Sequence, residues 1–275
     1  MRFKKIGIFV PSYKSAKTLE SIIRRIPSEI KKEAAEIFVI DDASPDASYE
    51  NALKTQKKAG LKNLTVHQNQ KNLGFGGNHK IGFRYAIQKR FDVVVTLHGD
   101  GQYAPEKIPE LLEAMEKNNT EIATVSRFLN NPRGMGMPRW RFFSNRFLNF
   151  LQKKIWGFGL SDHNVGMRSY LVQALERLPF ERLSNDYSFD TELLSQCRLA
   201  GYKISEIAIK PVYEKDSHSP GYWKTFKFFL FSLKTLLDYK MARMGMALPK
   251  YDIKRFKRKK EPFNAKRVNF SHTSR

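Results

Sequence analysis

Through the first half of the chain, short runs of apolar, largely β-branched residues alternate with longer stretches whose apolar positions recur every three or four residues. The runs are KIGIFV (Lys5–Val10), EIFVI (Glu36–Ile40), LTVHQ (Leu64–Gln68), DVVVTL (Asp92–Leu97) and EIATV (Glu121–Val125). Their length predicts strands, and their continuity predicts strands covered on both faces. Helices are expected near Ala16–Ile26, over Tyr49–Ala59 with Gly60 as C-terminal cap, and after the glycine-rich Gly74–Gly77. The pattern reads as α/β, a mostly parallel sheet covered by helices. After Arg127 the rhythm changes. A loop rich in Asn, Pro and Gly leads to a long aromatic helix near Arg139–Ile155, then to a helix over Phe189–Ala200 and a strand in YKISEIAI (Tyr202–Ile209).

Composition narrows the class. The 275 residues are 41% hydrophobic, enough for a sizeable core. A single cysteine, Cys197, excludes an internal disulfide and a cysteine-based zinc site. The longest apolar candidate, Phe226–Leu237, is interrupted by Lys227 and Lys234. It is shorter than the roughly 18–20 residues of a membrane span. The N-terminal MRFKKIGIFVPSY turns polar too early for a signal peptide, so a cytoplasmic location is expected. The net charge is +22, and half of that excess lies from Asp216 onward, where 15 Lys/Arg face 4 Asp/Glu. Such a chain favours anionic partners: nucleotides, an acidic membrane face or nucleic acid.

The chemistry gathers where strands end. In an open parallel sheet, ligands collect outside the carboxyl ends of the strands. Here those ends read VPSYK, IDDAS, NQKNLGFGGNHK and LHGDGQ. One acidic turn is explained by helix capping, and Asp46 or Ser48 fits that role. Several strand ends that all carry Asp, Asn or Gly point to one site. The glycines of NLGFGGNHK also suggest a dinucleotide fingerprint. That pattern, however, needs a glycine where His79 stands and a place after the first strand, not the third.

Taken in order, VPSYKSAKTL, VIDDASPD, NLGFGGNHKIGFRYA, HGDGQYAPEKIPEL, Ser126–Arg127, DHNVGMRSY and FDTELLSQCRLAGYKISEIAIKPVYE resemble the family 2 glycosyltransferases. Within these, they look most like the branch that makes polyprenyl-phosphate sugars. The resemblance runs from about Ile6 to Glu214. It implies the GT-A fold, a Rossmann-like nucleotide-diphospho-sugar transferase architecture, over residues 1–215. An amphipathic helix and a basic tail would occupy 216–275.

What the resemblance implies can be placed residue by residue. Departure of a nucleoside diphosphate builds negative charge, which a divalent cation stabilises. Asp100 and Gln102, on one side of an extended segment, are the expected ligands of Mg²⁺ or Mn²⁺. His98 departs from the family's D-x-D pattern, in which Asp is usual. Asp42 is expected at the nucleoside and Asp41 either there or capping the turn, with Pro11 and Tyr13 as walls of the base pocket. Lys14 and Ser15 replace the usual Asn-Glu. The glycines from Gly74 are expected to let backbone approach the donor, flanked by Asn72 and Lys80. Arg127 and Arg168 are expected to meet anionic groups of donor or acceptor. Asp162 either joins that chemistry or holds its loop. Asp190, at a helix start, serves as general base for a hydroxyl or positions an acceptor that is already anionic. A helix N-terminus also favours acids on dipole grounds alone.

Beyond this region, Trp223, Phe226, Phe229, Leu230, Leu233, Leu236 and Leu237 fall on one helical arc, opposite Lys224, Lys227, Lys234 and Asp238. The arc either packs on its own domain or lies at a membrane interface, with the polybasic 254–260 segment as a second attraction. The basic tail KYDIKRFKRKKEPFNAKR (250–267) is expected to be poorly ordered. The resulting expectation is inverting transfer from a nucleotide sugar to a polyprenyl phosphate, at the inner face of the cell membrane with peripheral attachment. The alternative acceptor is a hydroxyl of a glycan or a lipid-linked saccharide. A basic nucleic-acid-binding protein is the rival of another class. It is disfavoured because acids crowd the strand ends.

Overall fold

A computed structural model describes residues 3–130, 139–209, 222–254, 256, 258 and 268–270. In chain order the elements are β1 (Ile6–Ser12), α1 (Leu19–Arg25), α2 (Ser28–Glu33), β2 (Ala34–Asp41), α3 (Ser48–Ala59), β3 (Leu64–Asn69), α4 (Gly74–Lys89), β4 (Val93–Thr96) and α5 (Ile108–Asn118). They continue with β5 (Ile122–Ser126), α6 (Arg139–Trp156), β6 (Arg168–Leu171), α7 (Val172–Glu176), α8 (Phe189–Leu199), β7 (Ile204–Ala208), α9 (Tyr222–Arg243) and β8 (Val268–Phe270). Gly60 takes the left-handed conformation expected of a helix cap, with φ of 60°.

The strands form one sheet in the order β7-β5-β6-β4-β1-β2-β3-β8. β1 pairs in parallel with β2 and β4, β2 with β3, and β5 with β7. Successive side chains of a strand point to opposite faces, so the continuous apolar runs feed two cores. Ile8, Val10, Ile37, Val39 and Val95 pack with Leu19, Ile22 and Leu112 on one side. Phe9, Phe38, Ile40 and Val94 pack with Phe83, Phe189 and Leu193 on the other. The carboxyl ends of β1 to β4 consequently share one edge of the sheet.

Two strands go beyond the sequence pattern. β6 lies antiparallel between β4 and β5. Its sequence, RSYL, opens on an arginine that is only 1% exposed, and charge hides the apolar signal a buried strand normally carries. β8 pairs antiparallel with β3, an edge whose backbone groups are open to pairing. Residues 268–270, immediately after the stretch expected to be poorly ordered, thus join the sheet, and within that stretch Lys250 and Tyr251 belong to a helical turn in which Tyr251 is buried.

Part of the basic segment is likewise committed. The Arg258 guanidinium donates to the carbonyls of Leu175, Glu176 and Leu178, pairs with Glu181, and lies 4.5 Å from the centre of the Phe180 ring. Residues 255, 257, 259 and 260 of that segment lie outside the described residues.

Candidate functional site

β4 delivers its polar turn to the shared sheet edge. The Gly99 N–H donates to the Pro11 carbonyl at 3.0 Å, and Thr18 Oγ1 donates to the Gly99 carbonyl at 2.6 Å. These bonds fix the turn against the end of β1. Beyond it Asp100 is exposed, and its Oδ1 accepts the Gln102 N–H at 3.1 Å. Crowding by surrounding protein raises the Asp100 carboxyl above its ordinary range, and backbone N–H groups of Gln102 and Asp100 oppose that rise.

His98 points the other way, into a box of rings. Phe75 and Tyr103 lie 5.5 Å from it and His79 lies 5.4 Å away. Gly166 closes the box, since a Cβ there would fall 2.3 Å from His98 Cε1. Burial holds the imidazole down to about 3, so it is neutral at physiological pH. The His98 Nε2 atom has no hydrogen-bond partner. His98 therefore does not reproduce the negative charge of the Asp usual at this position.

Asp190 opens α8 beside this box. Its Oδ1 lies 3.4 Å from Nη1 of Arg168, whose Nη2 donates to the His163 carbonyl at 2.8 Å. The Arg168 side chain is buried, and Asp190 retains partial exposure. Both acidic residues of FDTE thus have partners, but of different kinds. Glu192 accepts the Ser184 N–H and the Lys250 ammonium, which makes it a brace for the loop before α8.

That loop also holds Tyr187, which the sequence did not single out. Its ring packs 5.1 Å from Phe75, and its hydroxyl is influenced electrostatically by Asp100 and Tyr13. Two exposed tyrosines, Tyr13 and Tyr187, therefore flank Asp100 from different loops. Aromatic residues standing in solvent beside a candidate acid were the available signal.

On the donor side, the structure commits several of the expected residues to internal bonds. Asp41 accepts from the Ser44 N–H, Ser44 Oγ and Gln68 Nε2. Asp42 Oδ1 accepts the Leu73 N–H at 2.9 Å and Asn69 Nδ2 at 2.8 Å. Burial pushes the Asp42 carboxyl up, against those hydrogen bonds. Asn72 donates to the Asp42 carbonyl and accepts the Gly74 N–H.

Lys80, expected to flank the donor, instead reaches the Leu183 carbonyl and Asn185 Oδ1. The glycines serve a packing role. A Cβ at Gly74 would lie 2.5 Å from the Asn185 carbonyl oxygen, and one at Gly76 would lie 2.4 Å from that of Ser184. Lys14 and Ala43 carry φ of 54° and 52° at the ends of β1 and β2. Left-handed backbone at non-glycine residues beside a cleft is strain of the kind stored at functional sites.

Arg127, at the end of β5, forms a fork with Asp162 at 2.7 and 3.1 Å and donates to the Asn164 carbonyl at 3.0 Å. Glu206 holds the Ser161 and Asp162 N–H groups in turn. Arg127 and Asp162 thereby fix the loop leading to Arg168, the loop-holding role foreseen for Asp162.

The Asp100 carboxylate and the Gln102 amide oxygen are the oxygen ligands Mg²⁺ or Mn²⁺ prefers. Among the described residues neither side chain bonds another side chain. Among the described residues no group of three or more His, Cys, Asp or Glu converges on a metal position. These residues fit a cation that takes two ligands from protein and the remainder from phosphate and water.

Known proteins agree with this arrangement. The family model described as glycosyl transferase family 2 matches residues 7–178. An undecaprenyl-phosphate mannosyltransferase of Micrococcus luteus is 25% identical over 206 residues, covering 74% of this chain and 82% of that enzyme. An uncharacterized protein of Methanocaldococcus jannaschii is 24% identical over 217 residues, covering 79% and 85%. Among solved structures, the glucosyl-3-phosphoglycerate synthase of Mycobacterium tuberculosis bound to UDP superposes with a TM-score of 0.64 at 17% identity, covering 90% of this chain and 82% of that one. The same enzyme with Mn²⁺, UDP-glucose and phosphoglyceric acid gives a TM-score of 0.63. With a family model matching residues 7–178 of this mostly parallel sheet, the chain belongs to glycosyl transferase family 2 and is a glycosyltransferase of GT-A fold.

Proposed function

We propose that the protein transfers a sugar from a nucleotide sugar to a polyprenyl phosphate, with inversion at the anomeric carbon, at the cytoplasmic face of the membrane. The observation that carries this reading is the pairing of Asp190 with the buried Arg168, together with Asp100 and Gln102, whose side chains bond no other side chain among the described residues.

Asp100 and Gln102 would hold Mg²⁺ or Mn²⁺, which supplies charge stabilisation for the leaving diphosphate. Tyr13 and Tyr187 border the position where base and sugar would lie. A phosphate oxygen of the acceptor attacks the anomeric carbon as the bond to the diphosphate breaks. One direct displacement inverts the configuration and needs no enzyme nucleophile. The attacking oxygen is already anionic, so no proton has to be removed. Asp190 then orients the acceptor, and Arg168 compensates its charge from behind. Arg127 and Asp162 fix the neighbouring wall. The mannosyltransferase relative, named for a polyprenyl-phosphate acceptor, supports this choice.

The test is direct. Purified protein is incubated with radiolabelled UDP- and GDP-sugars, Mn²⁺ and undecaprenyl phosphate in detergent. The expected product is an acid-labile lipid-linked monosaccharide of inverted configuration. Transfer only to hydroxyl acceptors would replace this reading with the glycan alternative and make Asp190 the base.

A further inference from the structure

Helices α6 and α9 are built inside out for a soluble surface. On α6 the inward face carries Asn149 and Gln152, which bond to His163 and Asn164 in the loop beside Arg168. The outward face carries Trp140, Phe143, Phe147 and Phe150, spaced three, four and three residues apart. Phe143 is 67% exposed and Phe150 60%. On α9 the polar Ser232, Thr235 and Asp238 are buried, while Phe226, Leu230 and Leu237 face solvent. The arc expected from the sequence is thus split: Leu236 joins the core beside Tyr239, and its neighbours turn outward. Trp223 and Lys224 lie outside the described side chains. The two outward stripes meet where Phe147 stacks on Phe229 at 6.2 Å. A surface helix ordinarily shows the reverse arrangement, and a contiguous exposed apolar patch marks an interaction site.

Charge identifies the occupant. α6 carries five Lys or Arg and no acid. α9 carries five and a single acid, Asp238, which is buried and paired with Lys234 and Lys250. A second copy of this chain would set cations against cations, so a symmetric self-interface is opposed by its own charge. Aromatics flanked by exposed cations match the boundary between acyl chains and anionic headgroups.

We propose that the joint face of α6 and α9 docks on an anionic lipid bilayer, with Phe143, Phe147, Phe150, Leu230 and Leu237 entering the interface. The further consequence, that docking presents the Arg168–Asp190 side of the site to a lipid-borne acceptor, rests on the polyprenyl-phosphate reading above.

The full chain is sedimented with vesicles of phosphatidylglycerol and phosphatidylcholine, free of any polyprenyl phosphate, and with pure phosphatidylcholine vesicles. The wild type is expected to bind the anionic vesicles. The triple variant Phe143→Ser/Phe150→Ser/Leu237→Ser, which keeps every basic residue, is expected to lose at least about tenfold in partitioning. Its melting temperature and its transfer to a water-soluble short-chain isoprenyl phosphate should be unchanged. A variant that still binds the vesicles as wild type does, or a wild type that does not bind them, overturns the proposal. Self-association in sedimentation velocity that the triple variant abolishes overturns it in favour of an interface between copies. Vesicle binding without transfer to any isoprenyl phosphate supports the docking face and removes the acceptor reading instead.

Discussion

The backbone carbonyl of Asn185 occupies the N-terminus of α4, accepting the Gly76 N–H at 2.8 Å and the Gly77 N–H more weakly at 3.3 Å. The first turn of a helix has N–H groups without intrahelical partners, and a glycine-rich start invites a phosphate there. In this protein a neighbouring loop takes that position and is held by the Lys80 ammonium from the same helix. The glycine segment therefore fixes the loop that carries Tyr187 and leads to Asp190. Gly76→Ala is expected to force that loop away, because its Cβ would also fall 2.7 Å from Phe189 Cβ. A stability loss of about 1–3 kcal/mol and a marked fall in turnover should follow. Gly201→Ala, where no atom lies within 4 Å of the new Cβ, should cost only backbone strain and leave turnover intact. Chemical denaturation and kcat on the two variants make the comparison.

Asp190→Asn separates positioning from base catalysis. If Asp190 orients an anionic acceptor, the variant should lose about tenfold or less in kcat. Loss of a general base costs roughly 10²–10⁴-fold. Steady-state kinetics with undecaprenyl phosphate, including a pH profile that should remain flat around neutrality, distinguishes the two.

Lys250 joins two helices, with its ammonium 2.9 Å from Glu192 of α8 and 2.9 Å from Asp238 of α9. Lys250→Ala leaves both carboxylates without that partner, at an expected cost of about 1–3 kcal/mol. Burial works against the charge of Asp238, but hydrogen bonds from Lys250 and Lys234 prevail and hold its carboxyl below the ordinary 3.8. Its contribution is present above 3.8 and is lost as the pH falls through the depressed value. Lys250 is raised above 10.5 despite burial, so its share is complete below 10.5 and lost as the pH rises through the raised value. Hydrogen exchange along 232–239 should accelerate in Lys250→Ala at pH 7.

Buried histidines weaken the fold in acid, and His67 and His163 are two of them. Burial holds His67 and His163 down to about 4, against an ordinary 6.5. The unfolded chain takes up these protons first, so their contribution is complete above 6.5 and declines as the pH falls toward 4. Each can remove up to about 3 kcal/mol by the bottom of that window. Melting temperature should decline steadily between pH 7 and pH 5, and His163→Asn should flatten the decline.

The first five strands were legible because continuous apolar runs are a strong signal, and their parallel pairing brings the polar ends of β1 to β4 to one sheet edge. Strand β6 was not legible, since its buried Arg168 reads locally as a surface residue. The partners of Asp41, Asp42 and Lys80 were also hidden. A carboxylate at a strand end looks the same in sequence whether it meets a ribose or a Ser44 hydroxyl. Tyr187 went unnoticed because an aromatic in a polar loop carries no periodicity. The outward face of α9 was misjudged as one arc because a helical wheel cannot see Ser232, Thr235 and Asp238 buried against α8 and Lys250.

The role proposed for Asp100 is to anchor a cation that joins donor diphosphate to protein. Its most direct test is the melting temperature with UDP, with and without Mn²⁺, for the wild type and for Asp100→Asn. A shift that requires both UDP and Mn²⁺ is expected for the wild type, with loss of the metal-dependent part in Asp100→Asn. An equal Mn²⁺-dependent shift in the variant, or none with any nucleoside diphosphate in the wild type, would contradict it.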